Sequence, residues 1–309
     1  MVVFFIAAMY PYTGTGPLWP KAIAADTDQC RKNWWLSLLM LNNYIDSENI
    51  CLVASWYIPC DFHFSCVAVM LYWLYTRRPR LGLSCGVAIA VASVLVPGVL
   101  TYIYDWIPIQ LLTYEFVANP RASPDFHRTY IRSHTRAAAY IVGFFSGFIF
   151  VKNKREEGMR ISQKWAVLGS ISGLVVMLAV LISGTTFLWR SYHPIEGAVY
   201  AAINRPLWTV GVAMLVLSCS LGNVPLIKSF LSWYVWVPLS RLTYGLYLTH
   251  TLIISRNVFV TRGSQHNDYA TLVNSTAGVI FWGCIAAFAI WLIAEAPAIR
   301  LFDIFLKQL

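Results

Sequence analysis

Long, uninterrupted apolar runs constrain this chain more than any other feature of its sequence. Apolar residues make up 58% of the 309 residues and charged residues only 12%, whereas a soluble domain has roughly 25% charged residues. Apolar runs of this kind predict membrane-spanning helices, since about 20 residues are needed to cross the hydrocarbon core. Transmembrane β-strands would instead alternate polar and apolar residues. The sequence therefore predicts an all-α, multi-pass transmembrane helical bundle and excludes a soluble globule.

Seven apolar segments are predicted to be full spans. A shorter apolar segment, residues 2–9, predicts a truncated N-terminal span, the last turns of a helix whose start is missing, with a signal peptide as the alternative. Gly143 and Gly147 form a G-x-x-x-G pattern, which allows close approach of another helix. The predicted full spans are residues 56–75, 83–104, 137–151, 165–187, 207–221, 239–254 and 272–293.

The distribution of basic residues sets the expected orientation and localisation. Lysine and arginine are densest in the short loops, and such density marks the cytoplasmic side of a membrane protein. We therefore expect the C-terminus inside and residues 10–55 outside, in an integral membrane protein of the endoplasmic reticulum or plasma membrane. The basic residues that give the net charge of +9 sit in loops and at span ends, where they set orientation and meet anionic lipid. Membrane lipid, and no nucleic acid, is the expected partner. The short basic loops are residues 76–82, 152–164, 222–238 and 294–309.

Two of the seven cysteines fall in one polar segment that is expected outside the cytosol. Cys30 and Cys51 lie close together along the chain, and neighbouring thiols oxidise readily in that compartment. We predict a disulfide between them, with two free thiols as the alternative. The other cysteines lie in or beside apolar spans, where cysteine behaves as a small hydrophobe. No C-x-x-C pattern is present, so no metal site is expected.

Polar residues inside spans are costly and are therefore candidate functional residues. Residues 238–250 are the densest polar stretch, and it includes Arg241. Thr243, Tyr247 and His250 are spaced so that they share one helix face. An imidazole beside a phenol relays a proton or holds a polar headgroup. The alternative is a hydrogen-bonded histidine that fixes helix packing.

A second candidate polar site lies near the outer end of two spans. Asp61, with His63 following it, is the only carboxylate well inside an apolar run, and a buried carboxylate needs a partner. Arg136 enters its span from the same side, so we predict an Asp61–Arg136 ion pair, with a catalytic acid as the alternative. Nearby basic and aromatic residues indicate either an anionic site or a solvated basic rim. These are His127, Arg128, Arg132, His134, Arg136 and Tyr140.

A series of short motifs, in order along nearly the whole chain, resembles acyltransferase family 3, in its animal "nose resistant to fluoxetine" branch. Each motif is weak alone, and together they are specific. Asn42, Asn43, Asp61 and Tyr140 belong to the same pattern. The motifs are PYTGTGPLW at 11–19, CRKNWW at 30–35, SWY at 55–57, HTR at 134–136, RPLW at 205–208, PLSRLTYGLYLTH at 238–250 and EAP at 295–297.

The resemblance implies one acyltransferase domain over residues 1–309. It implies transfer of an acyl group, other than amino-acyl, from a donor such as acyl-CoA to a lipid or small-molecule acceptor, with no bound cofactor. It also implies the Cys30–Cys51 bridge. The alternatives are a lipid or drug carrier without chemistry, and a membrane O-acyltransferase of another type with His250 as its histidine.

Two departures from the family pattern bear on activity. The resemblance implies an upstream helix that carries a basic residue followed by a histidine. In this chain only ten residues precede Pro11, and none of them is histidine or arginine. We therefore expect an N-terminally incomplete domain that is inactive by itself, and we assign no catalytic residue. In addition, His63 stands where glutamine is expected, and Ala138 and Ala139 stand where a proline usually precedes Tyr140.

Overall fold

The structure is a computed structural model that describes residues 1–110, 113, 116, 119–155, 160–263 and 268–308. Across these residues the chain forms helices and turns without a β-strand, so the predicted all-α class is confirmed. In chain order the α-helices are α1 (Val2–Ala8), α2 (Trp19–Leu38), α3 (Tyr57–Arg77), α4 (Pro79–Tyr104), α5 (Ala137–Arg155), α6 (Gln163–Trp189), α7 (Pro194–Leu221), α8 (Pro225–Leu231), α9 (Trp236–Phe259), α10 (Tyr269–Ile290) and α11 (Ala296–Gln308).

The helices belong to two compact units. The first unit comprises Met1–Leu39, Asn49–Ser55 and Ser232–Leu309, and the second comprises Met40–Glu48 and Trp56–Leu231. The first unit therefore contains α1, α2 and α9–α11, and the second contains α3–α8.

In the first unit, polar anchors and one disulfide hold the N-terminal segment. The Tyr10 hydroxyl donates to the Leu252 carbonyl at 2.7 Å, and the Trp19 indole donates to the Pro11 carbonyl at 2.9 Å. Cys30 and Cys51 form a disulfide across a sequence separation of 21 residues, which confirms that prediction. These contacts anchor both ends of the polar N-terminal segment, which has no long apolar run of its own.

Some helices approach each other closely at glycines. On α6 and α7 of the second unit, a Cβ added to Gly173 would lie 2.6 Å from the Gly211 carbonyl oxygen, so the two backbones touch directly. The close approach that the pattern at Gly143 and Gly147 allows is not made, since an added Cβ at either glycine meets nothing within 4 Å. A G-x-x-x-G pattern permits contact but does not supply the partner helix.

Five described segments are long and apolar enough to cross a membrane, as expected of an integral membrane protein. They match five of the seven predicted full spans. The predicted spans 137–151 and 239–254 instead form α5 and α9, which are not among these candidates. The predicted span 207–221 is the second half of α7, and residues 2–9 contribute the seven-residue helix α1. The five segments are Val53–Arg77, Pro79–Tyr104, Gln163–Trp189, Pro194–Leu221 and Tyr269–Lys307.

Candidate functional site

A connected group of polar side chains lies in the second unit, where the first turns of α3 meet the loop that precedes α5. We call this group the Ser133 cluster. Ser133 is only 5% exposed and Asn43 is fully buried, so their polar atoms need partners within the protein. The cluster consists of Asn43, Tyr44, Cys60, His63, Ser133 and His134.

The cluster contains a directional chain of hydrogen bonds. His63 Nδ1 lies 2.9 Å from Ser133 Oγ. Ser133 Oγ donates to Cys60 Sγ at 3.5 Å, and Cys60 Sγ donates to the Ile131 carbonyl at 3.3 Å. Ser133 Oγ uses its own proton toward Cys60, so it can only accept a hydrogen bond from His63. We therefore assign the His63 proton to Nδ1. The assignment leaves His63 Nε2 with a free lone pair, as a general base requires.

Asn43 holds the two segments of the cluster together. Its side-chain amide donates to the Trp56 carbonyl at 2.7 Å and to the Ile131 carbonyl at 2.8 Å, and it lies 3.2 Å from Cys60 Sγ. The start of α3 and the loop before α5 are thereby joined through one buried side chain. This arrangement sets the separation of Cys60, His63 and Ser133.

Tyr44 bridges the two histidines of the cluster. Its ring centroid lies 6.0 Å from that of His63 and 5.8 Å from that of His134. The Tyr44 hydroxyl lies 3.1 Å from His134 Nδ1 and accepts from the His134 backbone N–H at 3.2 Å. Burial, and secondarily the nearby Arg132 guanidinium, lowers the pKa of His134 below its usual value of 6.5. This imidazole is therefore neutral around pH 7.

Two arginines fix the loop around Ser133. Arg205 on α7 donates to the Thr135 carbonyl and, at 3.5 Å, to the Thr129 carbonyl. The Arg136 guanidinium lies 4.1 Å from the centroid of the Tyr130 ring and 4.4 Å from that of the Trp56 ring, and its Nε donates to the Tyr130 carbonyl. These contacts give both cations favourable partners near the cluster.

The predicted ion pair between Asp61 and Arg136 is wrong. Asp61 is exposed on α3, and it forms no ion pair with Arg136 among the described contacts. Cys60, the neighbouring residue, faces inward instead, and adjacent residues on a helix point in different directions. The Tyr140 hydroxyl lies 3.3 Å from Ser65 Oγ.

The other basic residues before α5 mainly support the backbone. His127 is buried, with Nε2 2.7 Å from the Arg121 carbonyl, and Arg132 Nε donates to the His127 carbonyl at 3.2 Å. Arg128 is exposed. The histidine and arginine side chains thus order this loop, and the choice between an anionic site and a basic rim stays a prediction.

The predicted polar face on α9 belongs to the first unit. The Tyr247 and His250 rings lie 5.8 Å apart, as their spacing predicts. His250 Nδ1 contacts the Leu246 carbonyl at 3.2 Å, while the exposed Thr243 hydroxyl donates to the Ser240 carbonyl at 2.7 Å. Arg241 is exposed, with its guanidinium 6.0 Å from the Trp291 ring centroid. The imidazole and the hydroxyl thus contact their own helix.

Sequence reasoning identified His63 and Arg136 but missed four residues that support the Ser133 cluster. Cys60 was interpreted as a small hydrophobe, and its position beside Asp61 was the available signal that it faces inward. Asn43 and Arg205 lie within the short motifs and Ser133 directly precedes one, but nothing in the sequence shows that the three meet. The part of the chain that the structure describes contains no group of His, Cys, Asp and Glu able to hold a metal.

Comparison with known proteins gives two matches. A family profile described as "Acyltransferase domain" matches residues 2–296. "Nose resistant to fluoxetine protein 6" of Caenorhabditis elegans is 23% identical over 309 residues. This match covers 96% of the present chain, which spans only 37% of the length of that relative. No solved structure matches.

Proposed function

We propose a function from one premise: this chain belongs to acyltransferase family 3, whose acyltransferase domain covers residues 2–296. The proposed activity is transfer of an acyl group, other than amino-acyl, within the membrane. The proposed donor is an acyl-CoA thioester, and the proposed acceptor is the hydroxyl of a lipid or small molecule. Both substrates are inferred from the chemistry of the family.

The hydrogen-bond chain through His63 and Ser133 carries the proposed mechanism. His63 Nε2 removes the proton from the acceptor hydroxyl while the acceptor oxygen attacks the thioester carbonyl carbon. The carbon–sulfur bond then breaks, and the proton passes from His63 to the departing CoA sulfur. Ser133, 2.9 Å from His63 Nδ1, keeps the imidazole in the required tautomer and orientation.

The family favours this enzyme over the carrier that the sequence left open. A carrier without chemistry has no use for an imidazole whose second nitrogen is held by a chain of three further polar groups. The contact of His250 Nδ1 with the Leu246 carbonyl likewise leaves its Nε2 as an acceptor, so the two histidines are distinguished by the test below.

The test measures CoA release from short-, medium- and long-chain acyl-CoA by the full chain in lipid nanodiscs. His63→Gln should lower turnover by about 100-fold or more, because general-base catalysis contributes on that scale. His250→Gln is the matched control, being a histidine on another helix, and should leave turnover within about twofold. Helix content and elution volume check the folding of each variant.

Loss of turnover only in His250→Gln would move the base to α9, and equal loss in both variants would contradict a specific role of His63. Background release alone from the unsubstituted chain would also contradict that role. Such a result would agree instead with the expectation that residues 1–309 are inactive by themselves.

A further inference from the structure

A groove of about 590 Å³ opens between the last turns of α6 and the first turns of α7. We call it the α6–α7 groove. Its volume lies within the range of about 300–1,000 Å³ that is typical of small-molecule sites. None of its lining residues belongs to the Ser133 cluster. The lining residues that matter below are Phe187, His193, Ile195, Glu196, Val199 and Ile203.

The body of the α6–α7 groove suits a hydrocarbon chain. Val199 is 53% exposed and Ile203 is 41% exposed, and both lie on a helix that is apolar enough to span a membrane. Phe187 and Tyr200 pack edge to face at 4.9 Å and form an aromatic wall. The Tyr200 hydroxyl donates to the Val180 carbonyl at 3.4 Å. An alkyl chain therefore gains apolar contact there without stranding a polar group.

The mouth of the α6–α7 groove carries charges of both signs. Glu196 lines it, and the Arg190 guanidinium lies 3.5 Å from the Glu196 carboxylate, with both side chains substantially exposed. His193 lines the same end and is exposed. A headgroup with only negative charge would meet the Glu196 carboxylate unfavourably. A headgroup that carries both signs can contact Glu196 through its cation and Arg190 through its phosphate.

From this arrangement we propose that the α6–α7 groove binds a phospholipid with a primary ammonium headgroup, of the phosphatidylethanolamine type. One acyl chain lies along Phe187, Val199 and Ile203. The ammonium donates to Glu196, and the phosphate accepts from Arg190. A primary ammonium is favoured over a quaternary one because only the primary group donates hydrogen bonds to a carboxylate. This lipid site is separate from the proposed acyl-transfer site.

Native mass spectrometry of delipidated full chain tests the site. The protein is mixed with phosphatidylethanolamine, phosphatidylcholine or phosphatidylglycerol of matched acyl chains. Unsubstituted protein should retain phosphatidylethanolamine best. Glu196→Gln should remove about a tenfold preference over phosphatidylcholine, the scale expected for one charge-assisted hydrogen bond. Ile203→Trp, which fills the groove, should lower retention of all three lipids.

Two matched control variants test whether lipid retention depends on the α6–α7 groove rather than on the rest of the surface. Leu181→Trp adds the same bulk at an exposed residue of α6 that does not line the groove. Asp268→Asn removes an equivalent carboxylate from a fully exposed position elsewhere. Both should retain phosphatidylethanolamine like unsubstituted protein. Equal retention of all three lipids, or a preference for phosphatidylglycerol, would overturn the proposal. It would also be overturned if a control variant lost as much lipid retention as its matched groove variant.

Discussion

The guanidinium of Arg205 donates to the carbonyl of Thr135, so a side chain of α7, a helix long and apolar enough to span a membrane, is bonded to the loop that carries Ser133. A second hydrogen bond, to the Thr129 carbonyl at 3.5 Å, holds the same loop six residues earlier. Thr135 is only 3% exposed, so its carbonyl has little access to water as a substitute. The position of Ser133 therefore depends on α7 as well as on its own loop.

Arg205→Gln should destabilise the protein by about 1–3 kcal/mol, because the shorter amide leaves the buried Thr135 carbonyl unsatisfied. Thermal unfolding in detergent measures the change. Arg190→Gln is the control, because its ion pair with Glu196 is exposed and such pairs contribute little. Equal effects of the two substitutions would show that Arg205 does not support the loop.

The Arg136 guanidinium is predicted to depend on aromatic rings rather than on Asp61. Arg136→Gln and Tyr130→Leu should each destabilise, and their combination should be less than additive by about 1 kcal/mol, since both remove one cation–π contact. Asp61→Asn should change stability by less than about 0.5 kcal/mol, because Asp61 is exposed. Double-mutant cycles by denaturant or thermal unfolding provide the measurement. Strict additivity of the Arg136 and Tyr130 effects would argue against the contact.

The backbone contact between Gly173 and Gly211 predicts a large penalty for a single methyl group. Gly173→Ala should destabilise by about 1–3 kcal/mol, because the new Cβ would lie 2.6 Å from the Gly211 oxygen and would push α6 from α7. Gly143→Ala is the matched control in open space and should be neutral or slightly stabilising. The midpoint of thermal unfolding distinguishes the two. The reverse order of effects would place the close helix contact at Gly143 instead.

The lowered pKa of His134 predicts an acid-sensitive loop. Burial and Arg132 depress its folded-state pKa below the unfolded value of about 6.5. Between these two pKa values the unfolded chain binds more protons than the folded chain. The stability of the folded state therefore rises with pH up to about 6.5 and is lost as pH falls through the folded-state pKa. Thermal unfolding should show this loss in the unsubstituted protein.

His134→Gln should flatten that part of the pH profile, because the titrating imidazole beside Tyr44 is gone. His193→Gln, which changes an exposed histidine, should leave the profile unaltered. A profile that is unchanged by His134→Gln would show that another group causes the acid sensitivity.

Several features could be predicted from the sequence because they depend on local or compositional properties. Long apolar runs decide the helical membrane class, since hydrocarbon leaves few ways to satisfy backbone hydrogen bonds. The Cys30–Cys51 disulfide followed from short separation in one polar segment. The shared face of Tyr247 and His250 followed from helix geometry alone.

Other features required the folded chain because they depend on partners that are distant in sequence. Asn43, His63 and Ser133 are joined by hydrogen bonds across separations of up to 88 residues, and no local pattern records such a meeting. Arg136 was predicted to pair with Asp61, but α3 turns Asp61 outward, and the guanidinium lies on the Trp56 and Tyr130 rings instead. Gly143 and Gly173 are equally small, and only the position of the opposing helix determines which glycine is in contact. The sequence by itself thus determined that the long apolar segments are helical and that Cys30 and Cys51 are joined, whereas the tertiary structure decided which polar groups share one site, because that depends on helix rotation and long-range packing.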